Sequence, residues 1–169
     1  MGHKNEYGCL MAQVCQTDKE KLSRFNKKLI SDDILYIHPE DNYGREMDPH
    51  LTIKYGFFPD LKVDEVESIL SGAKKFTITS KKISLFHSAN YDVVKFDIDL
   101  TDEISKFRER ADKFPNEDTF PNYHPHMTLA YIKPKSFIIN HDFKSPCNFT
   151  IDRFVYSSMK NAKTNFSLS

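Results

Sequence analysis

The sequence predicts an α+β protein in which two antiparallel sheets face a central cleft and helices pack on the outside. Segments with the alternation of strands are interleaved with segments whose apolar residues recur at helical spacing. A helix, a polar loop and a short strand follow one another in this order twice along the chain. The length of 169 residues suits one domain, 1–169, made of two similar lobes.

Two short stretches of the sequence resemble each other. Residues 49–55 read PHLTIKY, and residues 125–131 read PHMTLAY. Each stretch contains proline, histidine, an apolar residue, threonine, a second apolar residue, a variable residue and tyrosine. A single His-x-Thr pattern on a strand is typical of a structural histidine, but two copies with the same flanking residues favour a shared catalytic role.

Strand geometry predicts where these side chains point. Residues i and i+2 of a strand face the same way, so His50 shares a face with Thr52, and His126 shares one with Thr128. Neighbouring strands would then bring two imidazoles and two hydroxyls into one cleft. One imidazole can accept a proton from a nucleophile while the other donates one to the leaving oxygen. The hydroxyls can donate hydrogen bonds to phosphate oxygens, so this set indicates metal-independent phosphodiester chemistry.

The paired motifs, their separation and the chain length resemble the 2H phosphoesterase superfamily. That group includes LigT-like RNA ligases and cyclic phosphodiesterases, nucleases of 2′-5′ oligoadenylates, and phage anti-CBASS nucleases of cyclic oligonucleotides. The resemblance implies two pseudo-symmetric lobes, and a hydrolase or nuclease of short or cyclic oligonucleotides of the second-messenger type, with viral counter-defence as one setting. Residues 149–168 also resemble the terminal hairpin of LigT-like proteins, so processing of RNA ends or of 2′,3′-cyclic phosphates stays open.

The composition narrows the class of partner. The formal net charge is zero, which argues against binding of long duplex nucleic acid by counterion release and favours a small phosphorylated ligand in a local pocket. The three cysteines, Cys9, Cys15 and Cys147, lack metal-ligand spacing and suggest reduced thiols in a cytoplasm, the host cytoplasm if the protein is viral. We expect no membrane association, no obligate protein partner and no cofactor.

Hydrophobic periodicity predicts three helices. Residues 18–30 follow a capping-box pattern of Thr17 and Glu20, a second helix starts near Val63 and stops near Gly72, and Thr101 caps the third. Strands are predicted at 7–15, 76–79, 83–86, 93–98, 149–157 and 165–168, in addition to the two motif strands.

Two polar loops lead into the motif strands and form the expected rim of the cleft. Residues 39–49 contain Tyr43, and residues 115–125 contain Phe120 and Tyr123. Aromatic residues beside a catalytic strand can stack on a nucleobase, so these three are candidate substrate-binding residues. For Phe120, a place in the core is an equally good interpretation.

Two basic residues lie near the first motif. Uninterrupted alternation would place Lys54 on the face of His50 and Thr52, where it could neutralise phosphate on one side of the site. The alternative is a lysine at a strand end in solvent. Arg45 could also bind phosphate, although a solvated surface arginine is the simpler interpretation.

Two other classes of function remain open. A metal-dependent hydrolase could use His124 and His126, but the sequence contains neither an HExxH pattern nor a cysteine cluster. A non-catalytic module could bind a nucleotide or RNA without cleaving it. The intact motifs argue against this second alternative.

Overall fold

The structure is a computed structural model that describes residues 6–40, 43–117, 122–137 and 147–169. The elements in chain order are β1 (Gly8–Val14), α1 (Gln16–Leu29), a 3-10 turn (Asp32–Ile34), β2 (His50–Phe57), α2 (Val63–Ile69), β3 (Phe76–His87), β4 (Asp92–Ile98), α3 (Asp102–Asp112), β5 (His126–Ile132), β6 (Asn148–Ser157) and β7 (Lys163–Ser167). The predicted α+β class is confirmed.

The strands form two antiparallel sheets that are continuous through one long strand. The order is β2-β1-β6-β3-β4-β5, with β7 paired to β6. Residues 76–79 of β3 pair with β6, and residues 80–87 of the same strand pair with β4. The two motif strands, β2 and β5, therefore lie at opposite ends of the strand order.

One hydrophobic core joins all three helices to strands β1–β6. The motif strands contribute the apolar residues that alternation predicts, because Leu51, Ile53, Met127 and Leu129 are all buried. The motif tyrosines, Tyr55 and Tyr131, were expected on the same face but are only half-buried. A bulge in each motif strand, described below, accounts for the difference.

The helices agree with the periodicity, but one cap differs. Thr101 caps α3 as predicted, since its hydroxyl accepts a hydrogen bond of 3.3 Å from the backbone N–H of Ile104. The first helix begins at Gln16 with Cys15 at the N-cap position, so the predicted capping box of Thr17 and Glu20 is wrong. Across the described residues, none of the helices has the length and apolar character needed to cross a bilayer.

Candidate active site

Strand β2 contains a one-residue bulge just after the His-x-Thr pair. Thr52 pairs with Met11 of β1. The next pairing joins Lys54 to Leu10, so the register skips Ile53. An extra residue of this kind interrupts the alternation of side chains and bends the strand. Positions before and after the bulge therefore no longer follow one pattern of faces.

Strand β5 contains a bulge at the same offset from its histidine. Thr128 pairs with Lys95 of β4, and the next pairing joins Ala130 to Val94, so the register skips Leu129. The bulge is therefore part of the repeated motif. It separates the His-x-Thr segment, in which the histidine and the threonine are half-exposed, from the residues that follow, of which Lys54 and Ala130 are buried and Tyr55 and Tyr131 are half-exposed.

The bulge in β2 places Lys54 away from the predicted position. Its side chain is 1% exposed, and its Nζ atom lies 2.8 Å from the carboxylate of Asp112 on α3. The prediction of a phosphate-neutralising Lys54 assumed uninterrupted alternation from His50. The structure instead buries this lysine between β2 and α3, where it is paired and out of reach of a ligand in the cleft.

The two motif histidines are held in the same way. Nδ1 of His50 lies 2.9 Å from the carbonyl oxygen of Asp48, and Nδ1 of His126 lies 3.0 Å from that of His124. A carbonyl can only accept a hydrogen bond, so in the neutral ring Nδ1 carries the hydrogen and donates it. Each imidazole therefore presents Nε2, with its lone pair, as the atom that can exchange a proton.

The structure brings the two motif strands together. Residues of β2 and β5 approach with Cα atoms within 8 Å of one another, although the strands are far apart in the sheet order. Burial lowers the pKa of His126 below its ordinary value, and the positive charges of Lys95 and His50 lower it further. The hydrogen bond to the carbonyl of His124 and the negative charge of Asp97 oppose these effects, so burial is the main cause of the lowered pKa.

The surroundings of His126 form the second half-site. Lys95 lies beside Thr128 in the register, and its ammonium group donates hydrogen bonds to Ser84 Oγ at 2.6 Å and to Asp97 Oδ1 at 2.5 Å. Burial alone would raise the pKa of Asp97, but the hydrogen bonds from Lys95 and Ser84 hold it below its usual range. This half-site therefore contains a buried cation with its own counter-ion.

The surroundings of His50 form the first half-site, which is built differently. Arg153 donates a 2.7 Å hydrogen bond from Nε to Gln13, and Gln13 donates one of 2.9 Å to the carboxylate of Asp48. The same carboxylate accepts a hydrogen bond from Lys19 at 2.9 Å. Because the backbone carbonyl of Asp48 holds His50, this chain of polar contacts supports the residue that orients the His50 ring.

A helix from the opposite half braces each bulge. Arg108 of α3 donates to the carbonyl of Ile53 at 2.9 Å, and Tyr123 donates its hydroxyl to the carbonyl of Thr52 at 2.7 Å. In β5, the carbonyl of Leu129 accepts a 2.7 Å hydrogen bond from Asn26 of α1. Each motif strand is thereby tied to the half of the chain that carries the other histidine.

The predicted substrate-binding tyrosines occupy structural positions. Tyr123 is half-buried, and the guanidinium carbon of Arg108 lies 4.7 Å from the centroid of its ring. Burial raises the pKa of the Tyr123 hydroxyl. Tyr43 packs against Tyr131, with 4.9 Å between ring centroids, in a cluster of tyrosines beyond the end of the His-x-Thr segment. Phe120 lies outside the described residues.

Arg45 also has a structural role. It donates to the carbonyls of Asn26 and Ile30 at the end of α1, and it forms an ion pair with Asp32. These contacts place it at a helix C-terminus, where a cation is favourable. The structure thus supports neither the phosphate-binding nor the solvated interpretation.

Lys95 and Phe86 are the notable neighbours of the site that were not predicted from the sequence. Alternation in the predicted strand 93–98 does place Lys95 and Asp97 on one face, opposite Phe96. That signal is local, and it does not show that β4 lies next to the second motif strand. Phe86 lies on β3, which pairs with β4 in turn.

No metal centre is evident in the part of the chain that the structure describes, where no group of three or more His, Cys, Asp or Glu side chains could hold an ion. The side chain of His124 is exposed, and its backbone carbonyl, not its ring, contacts His126. The polar side chains in and around the two half-sites are thus histidine, threonine, serine, glutamine, lysine, arginine and carboxylates that do not cluster.

A family model described as the 2′-5′ RNA ligase superfamily matches residues 33–161 of the chain. The protein therefore belongs to this superfamily, the 2H phosphoesterases, whose members are generally phosphodiesterases. The match spans both His-x-Thr motifs and the two bulged strands that carry them. A search of curated proteins finds no significant match.

Solved structures with the same fold include three informative neighbours. Usb1 of Kluyveromyces marxianus has 7% identity and a TM-score of 0.58, with 98% of this chain and 99% of that one covered. The protein TT0787 of Thermus thermophilus has 14% identity and a TM-score of 0.58, covering 96% and 97%. E. coli LigT complexed with 3′-AMP has 13% identity and a TM-score of 0.56, covering 96% and 95%. At these identities the likeness establishes the fold.

Proposed function

We propose that the protein is a metal-independent phosphodiesterase that cleaves short or cyclic oligonucleotides, with His50 and His126 as its acid–base pair. The observation that carries the proposal is the matched pair of Nδ1 contacts to backbone carbonyls. These contacts leave the Nε2 atom of each ring for proton exchange, and in this proposal the scissile phosphate lies between the two rings. Histidine titrates near neutrality, so one ring can be neutral while the other is protonated.

His126 is the better candidate for the general base, because its lowered pKa keeps the ring neutral. Its Nε2 takes the proton from a water molecule or a ribose 2′-hydroxyl as that oxygen bonds to phosphorus. The bond from phosphorus to the leaving oxygen then breaks, and the leaving oxygen takes a proton from Nε2 of His50. Each general acid or base of this kind contributes about 10²–10⁴-fold.

Thr52 and Thr128 serve the phosphate in this mechanism. Each threonine lies two residues after its histidine, on the same face and before the bulge. Their hydroxyl groups donate hydrogen bonds to the two non-bridging oxygens. Donors aimed at oxygens that gain charge in the transition state lower the barrier.

The substrate class rests on charge and on the family. A formal net charge of zero disfavours a long duplex and suits a short or cyclic nucleotide ligand. The complex of LigT with 3′-AMP supports a nucleotide in this fold. The finer assignment, a viral nuclease of cyclic second messengers acting in the host cytoplasm, extends the family resemblance. A small ligand of this kind requires no obligate protein subunit.

A second candidate function is the processing of RNA ends, and the name of the matching family favours it. In that case water opens a 2′,3′-cyclic phosphate to a monoester, or the enzyme joins RNA ends. The four catalytic residues keep the same roles. The second candidate differs from the first in its substrate and, for the joining of RNA ends, in the direction of the reaction.

Product analysis with a substrate panel tests the proposal. Cyclic dinucleotides, cyclic trinucleotides, 2′-5′ oligoadenylate and RNA with a 2′,3′-cyclic end are incubated with the protein and with a His50→Ala/His126→Ala double variant. We expect a new product from at least one cyclic or short oligonucleotide with the wild-type protein only. Turnover of the cyclic-ended RNA alone would favour the second candidate.

Two outcomes would contradict the proposal, one from this panel and one from a metal-chelation assay on the same substrates. Tight binding without a new product from any substrate would indicate a binding module. Loss of activity in excess EDTA that zinc or manganese restores would indicate a metal-dependent hydrolase. Full activity in EDTA is the expected result.

A further inference from the structure

The register of the sheets shows which positions of the two half-sites correspond. Thr128 pairs with Lys95 in the second half, where the first half pairs Thr52 with Met11. Thr128 therefore has a cation beside it, whereas Thr52 has an uncharged methionine at the corresponding position.

The same register relates Phe86 to a serine. Tyr131 pairs with Val93, which pairs with Phe86 on β3. In the first half, Tyr55 pairs with Cys9, which pairs with Ser157 on β6. Phe86 is 47% exposed, whereas Ser157 is only 3% exposed. The second half-site therefore presents a large aromatic surface where the first presents a small, buried side chain.

Phe86 is held beside the catalytic ring. Its ring centroid lies 5.1 Å from that of His126, with the two planes at 89°. The ammonium group of Lys95 lies 4.2 Å from the centroid of Phe86, over one face of the ring. Such cation–π contact fixes the ring in place. Since the residue is nearly half exposed, aromatic surface remains open to a ligand in the cleft.

We propose that Phe86 stacks on the nucleobase of the nucleotide that lies on the His126 side of the scissile phosphate. This inference rests on the proposed phosphodiesterase function and specifies how its substrate is oriented. An aromatic side chain can stack on any base, so the subsite accepts nucleotides without selecting one sequence. Ser157 offers no comparable surface to the nucleotide on the other side of the phosphate. The substrate therefore binds in one orientation, with the base on the His126 side stacked on Phe86 in the second half-site.

Dinucleotides that lack one base test this subsite. The substrates are a dinucleoside monophosphate and its two abasic versions, with the base removed on either side of the scissile bond. The proteins are wild type, Phe86→Ser, which copies the other half-site, and Phe86→Tyr, which keeps an aromatic ring. Val63→Ser is the matched control, because Val63 is 54% exposed at the start of α2, outside the site.

We expect Phe86→Ser to raise KM for the intact dinucleotide about 10- to 100-fold, with a smaller effect on kcat. Phe86→Tyr and Val63→Ser should stay near wild type. Removal of the base that stacks on Phe86 should lower kcat/KM of the wild-type protein much more than that of Phe86→Ser. Removal of the other base should lower kcat/KM of both proteins equally. An unchanged KM in Phe86→Ser, or equal losses for both abasic substrates in both proteins, would overturn the subsite.

Binding of 3′-AMP separates this inference from the proposed function. If the wild-type protein cleaves nothing, the proposed function fails, but the Kd of 3′-AMP still reports on stacking. We expect weaker binding by Phe86→Ser than by wild type or Val63→Ser. The same Kd for all three proteins would disprove the subsite, whatever the activity.

Discussion

The two half-sites share a backbone design and differ in their side-chain environment. Both have a His-x-Thr segment, a bulge at the same offset, and a ring held by a carbonyl two residues earlier. Around His50, Gln13 and Arg153 form a chain of polar contacts, whereas Lys95 and Phe86 lie beside His126. The shared part gives the two halves equivalent histidine and threonine side chains. The different part makes the surroundings of the two rings chemically unequal, as the proposed acid–base pair requires.

Loss of either motif histidine should have the largest effect. His50→Ala and His126→Ala are each expected to lower kcat by about 10²–10⁴-fold, because each removes one of the two proton-transfer groups. Both rings are only partly buried, so circular dichroism and Tm should stay near wild type. His87→Gln, which changes an exposed histidine at the end of β3, is the control and should retain activity. Near-normal turnover in either alanine variant would contradict the paired mechanism.

Loss of the threonine hydroxyls should rank next. Thr52→Val and Thr128→Val keep the side-chain shape, and each should lower kcat by about 10²-fold through loss of one donor to the phosphate. Steady-state kinetics on the best substrate of the panel measures the effect. Thr77→Val, at an exposed position of β3, is the matched control. If the double Val variant is as active as wild type, the hydroxyls do not bind the phosphate.

Replacement of Lys95 by the residue of the other half-site tests the inequality of the histidines. The Lys95→Met variant lacks the positive charge that lowers the pKa of His126, and it leaves the negative charge of Asp97 without the cation that is paired with it. The pKa of His126 should therefore rise. A general base must be neutral, and activity therefore appears as the pH increases through its pKa. The acid limb of the kcat/KM profile should accordingly move to higher pH.

The control for this shift is Lys106→Met, which removes an exposed lysine of α3. Its pH profile should match that of wild type. Movement of the alkaline limb instead of the acid limb in Lys95→Met would assign His126 as the acid and His50 as the base. A profile that does not move would show that the asymmetry of the half-sites has no influence on proton transfer.

Replacement of Lys54 should have the smallest effect on activity. Lys54→Met removes a buried cation paired with Asp112, well away from the cleft face of β2. We expect kcat/KM within about twofold of wild type and a destabilisation of about 1 kcal/mol or less. The remaining carboxylate of Asp112 is 46% exposed and lies 3.6 Å from Arg108, so no unpaired buried charge is left behind. Enzyme kinetics and urea unfolding measure the two quantities. A tenfold loss of kcat/KM with unchanged stability would indicate that Lys54 does act on the substrate.

The contrast between Lys54 and Lys95 shows how far sequence patterns reach. Lys54 is adjacent to the motif in sequence, and simple alternation placed it in the cleft. The bulge at Ile53 reverses that placement, and nothing in the local pattern signals the bulge. Lys95 is remote in sequence, and only the pairing of β4 with β5 brings it beside Thr128.

Tyr123 and Arg45 show that sequence patterns also fail to predict the contacts of side chains on the two polar loops. The sequence predicts that the two polar loops form the rim of a cleft beside the motif strands. The hydroxyl of Tyr123, however, bonds to Thr52 in the other half, and Arg45 caps a helix that precedes it in the chain. Side chains on loops take their partners from distant segments, so their roles depend on contacts that local periodicity does not encode.

The sequence by itself determined the class of fold, the three helices and the two motif strands with their His-x-Thr segments, because each of these follows from short-range periodicity or from an internal repeat. The tertiary structure alone decided that the two motif strands approach each other, which helix braces which bulge, and which lysine and which aromatic ring accompany His126. These are results of strand register and long-range packing. They join residues that are separated by most of the chain, where a period of two or of 3.6 residues carries no information.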